Sequence, residues 1–406
     1  MTQPRRILLA DADAFFVGVA RMVDPDGAGK AMLLIVGGTR ESRGVVCSAS
    51  YEARRFGVRS AMSIAHALWL CPDAMCVPVP SKACGVKSRE IRAVLERYAP
   101  IVEGASVDEW YMDLGGTEGM YHHEPLRETA HRMRDAVKRE TGMSVSIGGG
   151  TNKLIAKLAV ERAKPKPGTT ADGVHIVAPG DEEAFVATLM LADLPMVGPK
   201  FQEKLRSLGM TSVGDAKQHD PATLRRWLGD HTADWLWDRV HGVSESEVEG
   251  GGDAKSMSRD ETFPRDITDD RELERELLAL VTRVSFDLRS DGLAARTVTV
   301  KLRDMDFRTR SARRTLPEPV VSDRVVMGVA RELLGKLRSA RRVPARLIGV
   351  ALSSLAADPK ADQLTLFERD DPLAETDRDR AIARTVDRVR ERFGAKGIVP
   401  AALVED

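Results

Sequence analysis

Residues 101–114 read IVEGASVDEWYMDL, and the fold of the N-terminal third can be built outward from them. Two short apolar runs flank the polar segment 106–109, a pattern typical of a β-hairpin with carboxylates at its tip. Upstream, residues 6–9 (RILL) form another apolar run, which leads to Asp11 and Asp13. This predicts two groups of carboxylates at strand ends, although such acidic pairs also occur on ordinary solvated turns.

The segments that follow predict a mixed layer of helices and strands. Residues 124–140 have helical spacing, and residues 143–147 (MSVSI) alternate like a strand before three glycines. A second helix is predicted over 153–163, because Pro165 stops it. Strands interleaved with two helices indicate an α+β layer, of which a ferredoxin-like sheet is one solution.

The middle of the chain, from about 170 to 241, is helical with short loops. Within it, residues 194–216 form two helical stretches joined by Gly209, with Gly198 at the start of the first. Open backbone amides at such a helix start can bind a phosphate without reading sequence, but an ordinary helical hairpin fits this segment equally well. Residues 244–253 (SESEVEGGGD) are acidic and rich in glycine, which favours a linker.

A second α+β unit follows, with helices predicted at about 270–290 and 322–340. From residue 296 to 314 the chain has seven basic and two acidic residues. The spacing of Arg308 and Arg310 on a strand puts both guanidinium groups on one face, where they could contact a row of phosphates. A solvated basic edge strand is the alternative.

The tail from residue 357 is polar and rich in aspartate. Its apolar island QLTLF (363–367) indicates a linear motif that docks into a partner's pocket. A helix at about 376–394 is predicted after it, with no partner indicated by the sequence.

Composition excludes several classes of protein. The 406 residues are 43% hydrophobic and 30% charged, which is incompatible with a wholly disordered or fibrous chain. Sixty-one basic residues balance 61 acidic ones, so the chain is not a uniformly basic nucleic-acid binder. No apolar run reaches the ~18 residues of a membrane span, so we expect a cytoplasmic protein without a membrane partner. The spacing of the four cysteines indicates free thiols rather than a metal site.

Four blocks of sequence together resemble the Y-family translesion DNA polymerases, and the nearest branch is the DNA polymerase IV or DinB type. The blocks are 11–16 (DADAFF), 48–58 (SASYEARRFGV), 106–113 (SVDEWYMD) and 151–168 (TNKLIAKLAVERAKPKPG). They occur in the family's order and spacing. Residues 255–263 and 346–355 resemble the family's C-terminal domain, so the resemblance extends to about residue 356.

The resemblance implies an α+β, multidomain, right-hand polymerase with a ferredoxin-like palm, small fingers, a helical thumb and an α+β little finger. The implied boundaries are palm 1–14 and 81–168, fingers 15–80, thumb with a helix-hairpin-helix 169–242, linker 243–254, little finger 255–356 and tail 357–406.

The resemblance also implies roles for individual residues. Metal ligands would be Asp11, the backbone carbonyl of Ala12, Asp108 and Glu109, holding two Mg²⁺ ions with Mn²⁺ as an alternative; hard oxygen ligands suit both ions. Nucleotide-binding residues would be Ser48, Tyr51, Arg54 and Lys164. Phe16 matches the steric gate against ribonucleotides, whereas Asp13 and Phe15 are expected to be structural.

The remaining implied sites concern DNA and a partner protein. Candidate DNA contacts are Gly198, Lys200, Arg296, Lys301, Arg308 and Arg310. QLTLF resembles the peptide that binds the bacterial sliding clamp (β clamp), through Gln363, Leu364, Leu366 and Phe367. The expected activity is template-directed addition of deoxynucleoside triphosphates to a primer on a primer-template, error-prone, low in processivity and carried out by a monomer.

Some residues depart from the family pattern. Ala10 and Ala12 replace larger apolar residues, and Trp110 stands where a small alanine is commoner, either packed beneath the hairpin or narrowing the site. A catalytically silent relative that acts as an adaptor is the main alternative, but such relatives usually lose a metal carboxylate. A nucleotidyl cyclase would lack Lys164, the YEAR block and a basic C-terminal domain.

Overall fold

The computed structural model describes residues 4–165, 170–252, 254–358, 373–394 and 396–404. The chain divides into two compact units, Met1–Gly252 and Asp253–Asp406. Among the helices of these ranges, none is both long and apolar enough to cross a membrane. All four cysteines are free thiols, as the sequence predicts.

The first unit alternates strands and helices up to residue 176 and is helical beyond it. Its elements are, in chain order, β1 (Ile7–Ala12), α1 (Phe15–Val23), β2 (Leu34–Val36), β3 (Ser48–Ala49), α2 (Tyr51–Arg55), α3 (Ile64–Leu70), β4 (Met75–Val77), α4 (Ser81–Leu95), β5 (Ile101–Gly104), β6 (Glu109–Asp113), α5 (Leu126–Thr141), β7 (Val145–Gly150), α6 (Lys153–Ala163), β8 (Val174–Ile176), α7 (Glu182–Ala187), α8 (Pro199–Ser207), α9 (Val213–Lys217), α10 (Pro221–Leu228) and α11 (Asp230–Val240).

A five-stranded sheet forms the centre of this unit, in the order β5-β6-β1-β7-β8. The predicted hairpin is present as β5 and β6, and β1 lies antiparallel between β6 and β7. All six residues of β1 are buried, which explains its continuous apolar start. The α+β layer predicted from the sequence is therefore confirmed.

The boundaries of two strands differ from the prediction. β7 continues through the three glycines at 148–150 instead of ending before them. A Cβ at Gly148 would lie 2.1 Å from the backbone nitrogen of Val160 and 2.4 Å from the carbonyl oxygen of Ala156. Glycine is needed there because α6 lies directly on the strand. β8, expected within the helical region, is instead the edge strand of this sheet.

A smaller sheet, β3-β2-β4, packs with α2 and α3 around its own apolar cluster. Helix α1 joins the two sheets: Phe15 and Val19 pack in the core of the large sheet, whereas Val17 and Ala20 pack against β2. Residues that follow β1 are thereby fixed between the two sheets.

The helical region from α7 to α11 packs around an apolar cluster to which α6 also contributes, and its helical character agrees with the prediction for residues 170–241. Helix α8 begins after Gly198 and α9 begins after Ser212, so the predicted pair of helical stretches is present.

The acidic segment predicted as a linker is packed against the first unit. Val248 is buried between β1 and α6, Glu247 forms an ion pair with Arg5, and the amide of Glu249 donates a hydrogen bond to Glu103. The buried side chain of Val248 and the polar contacts of Glu247 and Glu249 thus hold a segment whose composition alone is typical of a flexible linker.

The second unit is a four-stranded antiparallel sheet covered on one face by two long helices. Its elements are β9 (Ser256–Ile267), α12 (Asp270–Ser290), β10 (Leu293–Asp304), β11 (Thr309–Val320), α13 (Asp323–Ala340), β12 (Ala345–Ala357) and α14 (Asp377–Phe393). The strand order is β11-β10-β12-β9. Val298, Val300 and Leu302 face the helices, as their alternation predicts.

The helix predicted near the C-terminus is α14, and the second unit itself holds it. Asp387 pairs with Arg289 of α12 at 2.6 Å, and Asp379 pairs with Arg324 of α13 at 2.7 Å. The carboxylate of Glu375 accepts the amide of Val321 at 2.8 Å, just before α13. Polar contacts therefore hold α14 against the second unit, and Ala383 is the single buried side chain of this mostly exposed helix.

Candidate active site

Three carboxylates lie where the ends of β1 and β6 meet. The register of these antiparallel strands sets Asp11 directly opposite Glu109. The amide of Ala12 donates a 2.9 Å hydrogen bond to the carbonyl of Asp108, which fixes the turn to the end of β1. Two segments almost 100 residues apart in the chain are thus brought together.

Each of the three carboxylates already has a polar partner. Asp11 lies 2.9 Å from the ammonium of Lys164, and Glu109 lies 2.5 Å from that of Lys157. Asp108 accepts a 2.6 Å hydrogen bond from the hydroxyl of Ser106. In the parts of the chain that the structure describes, no three acidic, histidine or cysteine side chains are grouped closely enough to hold a metal ion as they stand.

The chemistry of the donors nevertheless fits a hard divalent cation. Asp11 is only 7% exposed, and burial raises its pKa to about 6 despite the opposing effect of Lys164. Because burial disfavours the charged form of this carboxyl group, an added cation would stabilise its ionised form. Carboxylate oxygens are the ligands that Mg²⁺ and Mn²⁺ prefer.

Asp13 lies beside the group but faces a different partner. It accepts a 2.8 Å hydrogen bond from the hydroxyl of Ser146 on β7, and its amide donates to the carbonyl of Ser144. Burial raises the pKa of its carboxyl. These contacts support the structural role expected for it.

Helix α6 brings both lysines to the carboxylates. Its first turn is capped by Asn152, whose side chain accepts the amide of Ile155, and it lies close on β7 because of Gly148. Lys157 and Lys164 are seven residues apart, about two helical turns, and therefore face the same side. Lys157 is not among the site residues predicted from the sequence, although its spacing from Lys164 could have identified it.

Three of the four predicted nucleotide-binding residues, Ser48, Tyr51 and Arg54, lie together around the start of α2, whereas Lys164 follows α6 and contacts Asp11. The Arg54 guanidinium lies 5.1 Å from the centre of the Tyr51 ring and donates a 2.9 Å hydrogen bond to the carbonyl of Ala49. A second nitrogen of Arg54 lies 3.5 Å from the hydroxyl of Ser48. Burial, followed by the charge of Asp13, raises the pKa of Tyr51, which indicates that α2 faces the carboxylates.

The two aromatic residues at the start of α1 differ in burial. Phe15 is 1% exposed and belongs to the core, as predicted, whereas Phe16 is partly exposed and contacts Phe15 edge-on at 5.5 Å. Ala14 precedes them with a left-handed backbone, φ 46°, which turns the chain sharply from β1 into the helix. Phe16 is thus in the first turn of α1, four residues after Ala12, the last residue of β1.

Trp110 packs beneath the hairpin, which decides between the two alternatives left by the sequence. It is 1% exposed and belongs to the apolar core under the large sheet, together with Met112. Strand alternation places it on the opposite face from Glu109, so it supports the carboxylate strand without narrowing the site.

The candidate DNA contacts of the first unit lie at the start of α8. Gly198 precedes the helix, and a Cβ there would meet no atom within 4 Å. Lys200 is exposed in the first turn.

In the second unit, the expectation that Arg308 and Arg310 share an exposed strand face is wrong. Arg308 is exposed in the turn before β11, whereas Arg310 faces the helices and pairs at 2.8 Å with Asp304, which is fully buried. Because Asp304 is buried, its negative charge needs a cationic partner, and the guanidinium of Arg310 is one. Arg313, opposite Thr299, instead lies on the open face and was missed.

The open face of this sheet is polar and rich in hydroxyl groups. Lys301 lies there in an ion pair with Asp260 of β9, and the Nε of Arg296 donates a 3.3 Å hydrogen bond to the carbonyl of Leu316. The hydroxyls come from Ser256, Ser258, Thr262, Thr297, Thr299, Thr309, Ser311, Thr315 and Ser353.

Known proteins match this chain along most of its length. The impB/mucB/samB family matches residues 10–161, and the C-terminal domain of that family matches residues 254–366. The DNA polymerase IV of Dehalococcoides mccartyi (strain CBDB1) is 33% identical over 394 residues, which cover 97% of this chain and 96% of that protein. The DNA polymerase IV of Halorhodospira halophila is 36% identical and covers 89% of this chain and 98% of that protein.

Solved structures share the fold at lower sequence identity. A Y-family DNA polymerase chimera, Dbh-Dpo4(243-245)-Dbh, matches with a TM-score of 0.75 at 24% identity, over 86% of this chain and 98% of that one. An insertion ternary complex of Dbh DNA polymerase matches with a TM-score of 0.61, at the same identity and coverage.

Proposed function

Because this chain belongs to the Y-family DNA polymerases, of the DNA polymerase IV type, we propose that Asp11, Asp108 and Glu109 bind the metal ions of its DNA-directed DNA polymerase reaction. The observation that carries the proposal is the register of β1 and β6, which sets Glu109 opposite Asp11, a buried aspartate of raised pKa. Two Mg²⁺ ions, with Mn²⁺ as an alternative, would be held there together with the carbonyl of Ala12. Bound metal stabilises the attacking and leaving oxygens of phosphoryl transfer.

The protein's own residues position the reactants and neutralise charge. Tyr51, Arg54 and Lys164 would bind the triphosphate of the incoming deoxynucleotide, with Ser48 beside Arg54. Cations in this position offset the negative charge that develops on the pyrophosphate leaving group. The reaction is the attack of a primer 3′-hydroxyl on the α-phosphorus, and much of its rate would come from positioning.

Selection against ribonucleotides would come from Phe16. Its partly exposed ring would fill the space that a 2′-hydroxyl needs. Small residues near this point, Ala14, Ser50 and Ala61, would leave the room that damaged or mispaired bases need, which supports error-prone translesion synthesis.

Each unit offers a surface that suits the backbone of primer-template DNA. At the start of α8 the amide of Gly198 already donates to the carbonyl of Met196, and Pro199 has no amide hydrogen, so the exposed side chain of Lys200 is the group there that suits a phosphate. In the second unit, Arg296, Lys301 and Arg313 lie at or on the open sheet face among hydroxyl groups, which suits contact with phosphates without reading sequence. Arg308, in the turn before β11, remains a candidate for contact with DNA phosphates, whereas Arg310 is already paired with Asp304.

Recruitment by the sliding clamp would depend on Gln363, Leu364, Leu366 and Phe367, which lie outside the described residues. A clamp tether would raise the local concentration of a polymerase of low processivity without new DNA contacts. The double substitution Leu366→Ala and Phe367→Ala should abolish stimulation by the clamp and leave basal extension intact. Equal stimulation of both proteins would refute the clamp proposal.

The metal site is tested by extension of a labelled primer-template with Mg²⁺ and the four deoxynucleotides. Asp11→Asn should eliminate template-directed extension. Asp113→Asn is the matched control, because it removes a carboxylate from the far end of β6 whose partner is the amide of Gly115. Wild-type protein that binds the primer-template but extends it with neither Mg²⁺ nor Mn²⁺ would favour the adaptor alternative.

A further inference from the structure

Lys157 lies between two of the carboxylates assigned to the metal ions. Its ammonium is 2.5 Å from Glu109 Oε1 and 4.0 Å from Asp11 Oδ2, and its side chain is 26% exposed. Lys164 contacts Asp11 from its own position, at 2.9 Å. Lys157 thus forms the ion pair with Glu109, whereas Lys164 forms the closer ion pair with Asp11.

The position of Lys157 has a clear electrostatic reason. The register of β1 and β6 fixes Asp11 opposite Glu109, and two negative charges on directly opposite residues of neighbouring strands repel each other. The charge of Glu109 is one of the causes that raise the pKa of Asp11, and the charge of Lys157 opposes it. The ammonium therefore reduces the repulsion that the two strands impose.

A divalent ion would use the same carboxylate oxygens. We propose that Lys157 is a built-in counter-cation that a divalent metal must displace from Glu109, so that it lowers the affinity of the free enzyme for metal. This inference rests on the proposed metal site. Metal binding then becomes stronger when triphosphate oxygens add to the ligands, since Mg²⁺ is commonly held by one or two carboxylates together with substrate phosphates.

Lys153 provides a matched control on the same helix. It is one turn earlier on α6 and pairs at 2.6 Å with Glu103, which belongs to β5 and is not one of the proposed ligands. Replacing it removes the same charge from the same helix while Glu109 keeps its partner.

The test is Mn²⁺ binding to the full-length protein without DNA or nucleotide, measured from the electron paramagnetic resonance signal of free Mn²⁺. Lys157→Met should bind Mn²⁺ roughly three- to tenfold more tightly than wild type, because a positive charge near the ion is removed. Lys157→Gln should do the same, whereas Lys157→Arg and Lys153→Met should stay within about twofold of wild type.

A second readout is thermal stability with and without MgCl₂. Tighter metal binding should give Lys157→Met a larger increase in melting temperature on adding Mg²⁺ than wild type shows. Affinity equal to or weaker than wild type, in Lys157→Met and Lys157→Gln proteins that melt cooperatively, would overturn the inference. If wild type and Asp11→Asn bind the same amount of Mn²⁺, the proposed metal site itself fails.

Discussion

Replacing Gly148 with alanine should damage both the stability and the activity of the first unit. The added Cβ would lie 2.1 Å from Val160 N and 2.4 Å from Ala156 O, both of them backbone atoms of α6. Carbon atoms in contact normally lie about 3.5–4.0 Å apart, so the helix must move by roughly 1 Å. Overpacking typically costs about 1–3 kcal/mol, and we expect about 3 kcal/mol because no flexible side chain can absorb the clash.

This destabilisation has a measurable size. At about 2–4 °C per kcal/mol for a unit of this length, the melting temperature should fall by roughly 6–12 °C. The same movement displaces Lys157 and Lys164, and a 1 Å error in position can reduce a catalysed rate by about a hundredfold. Both quantities can be measured on one preparation, by differential scanning calorimetry and by single-nucleotide insertion.

Gly104→Ala is the matched control for Gly148→Ala. Gly104 ends β5 in the same sheet, and a Cβ there would meet no atom within 4 Å. It should melt within about 2 °C of wild type, as expected for a substitution that meets no packing conflict. If Gly148→Ala also melts within that range and inserts nucleotides at the wild-type rate, the close packing of α6 on β7 does not position the site.

Three further predictions concern selectivity, docking of the C-terminal helix and acid sensitivity. Phe16→Ala should raise the ratio of ribonucleotide to deoxynucleotide insertion by at least about tenfold, and an unchanged ratio would contradict the gate. Asp387→Ala should destabilise the docking of α14 by about 1–3 kcal/mol, because it removes a partner of the Arg289 guanidinium, whose side chain is only 6% exposed. Hydrogen exchange of the backbone amides of α14 should then accelerate, and unchanged exchange would refute this. Hydrogen bonding to Arg324 lowers the pKa of Asp379 to about 2 from 3.8, so the stability it contributes is present above pH 3.8 and lost as the pH falls towards 2. Asp379→Asn should flatten this acid dependence of thermal unfolding, and equal acid sensitivity of both proteins would argue against the ion pair.

Local signals explain what could be predicted from the sequence. Helix α6 has its predicted bounds because Asn152 caps its start and Pro165 ends the segment that follows it. The apolar runs that end in acidic residues likewise indicated carboxylates at the end of β1 and at the hairpin before β6. In these places neighbouring residues alone specify the structure.

Long-range partners explain what could not be predicted. The side of β11 that Arg310 faces depends on Asp304, a buried carboxylate on another strand. The glycines after residue 147 were interpreted as a strand end, although they are the place where a helix packs on a strand. The fixed position of residues 247–249 depends on Val248, whose apolar pocket is formed by β1 and α6.

The most direct test of metal-dependent polymerase activity is the single-turnover rate of correct nucleotide insertion by Asp108→Asn, with saturating Mg²⁺, primer-template and nucleotide. Loss of this ligand should lower the rate by at least about a thousandfold, while the dissociation constant for primer-template stays within about threefold of wild type. A variant that retains insertion within tenfold of wild type would show that Asp108 does not hold a catalytic metal.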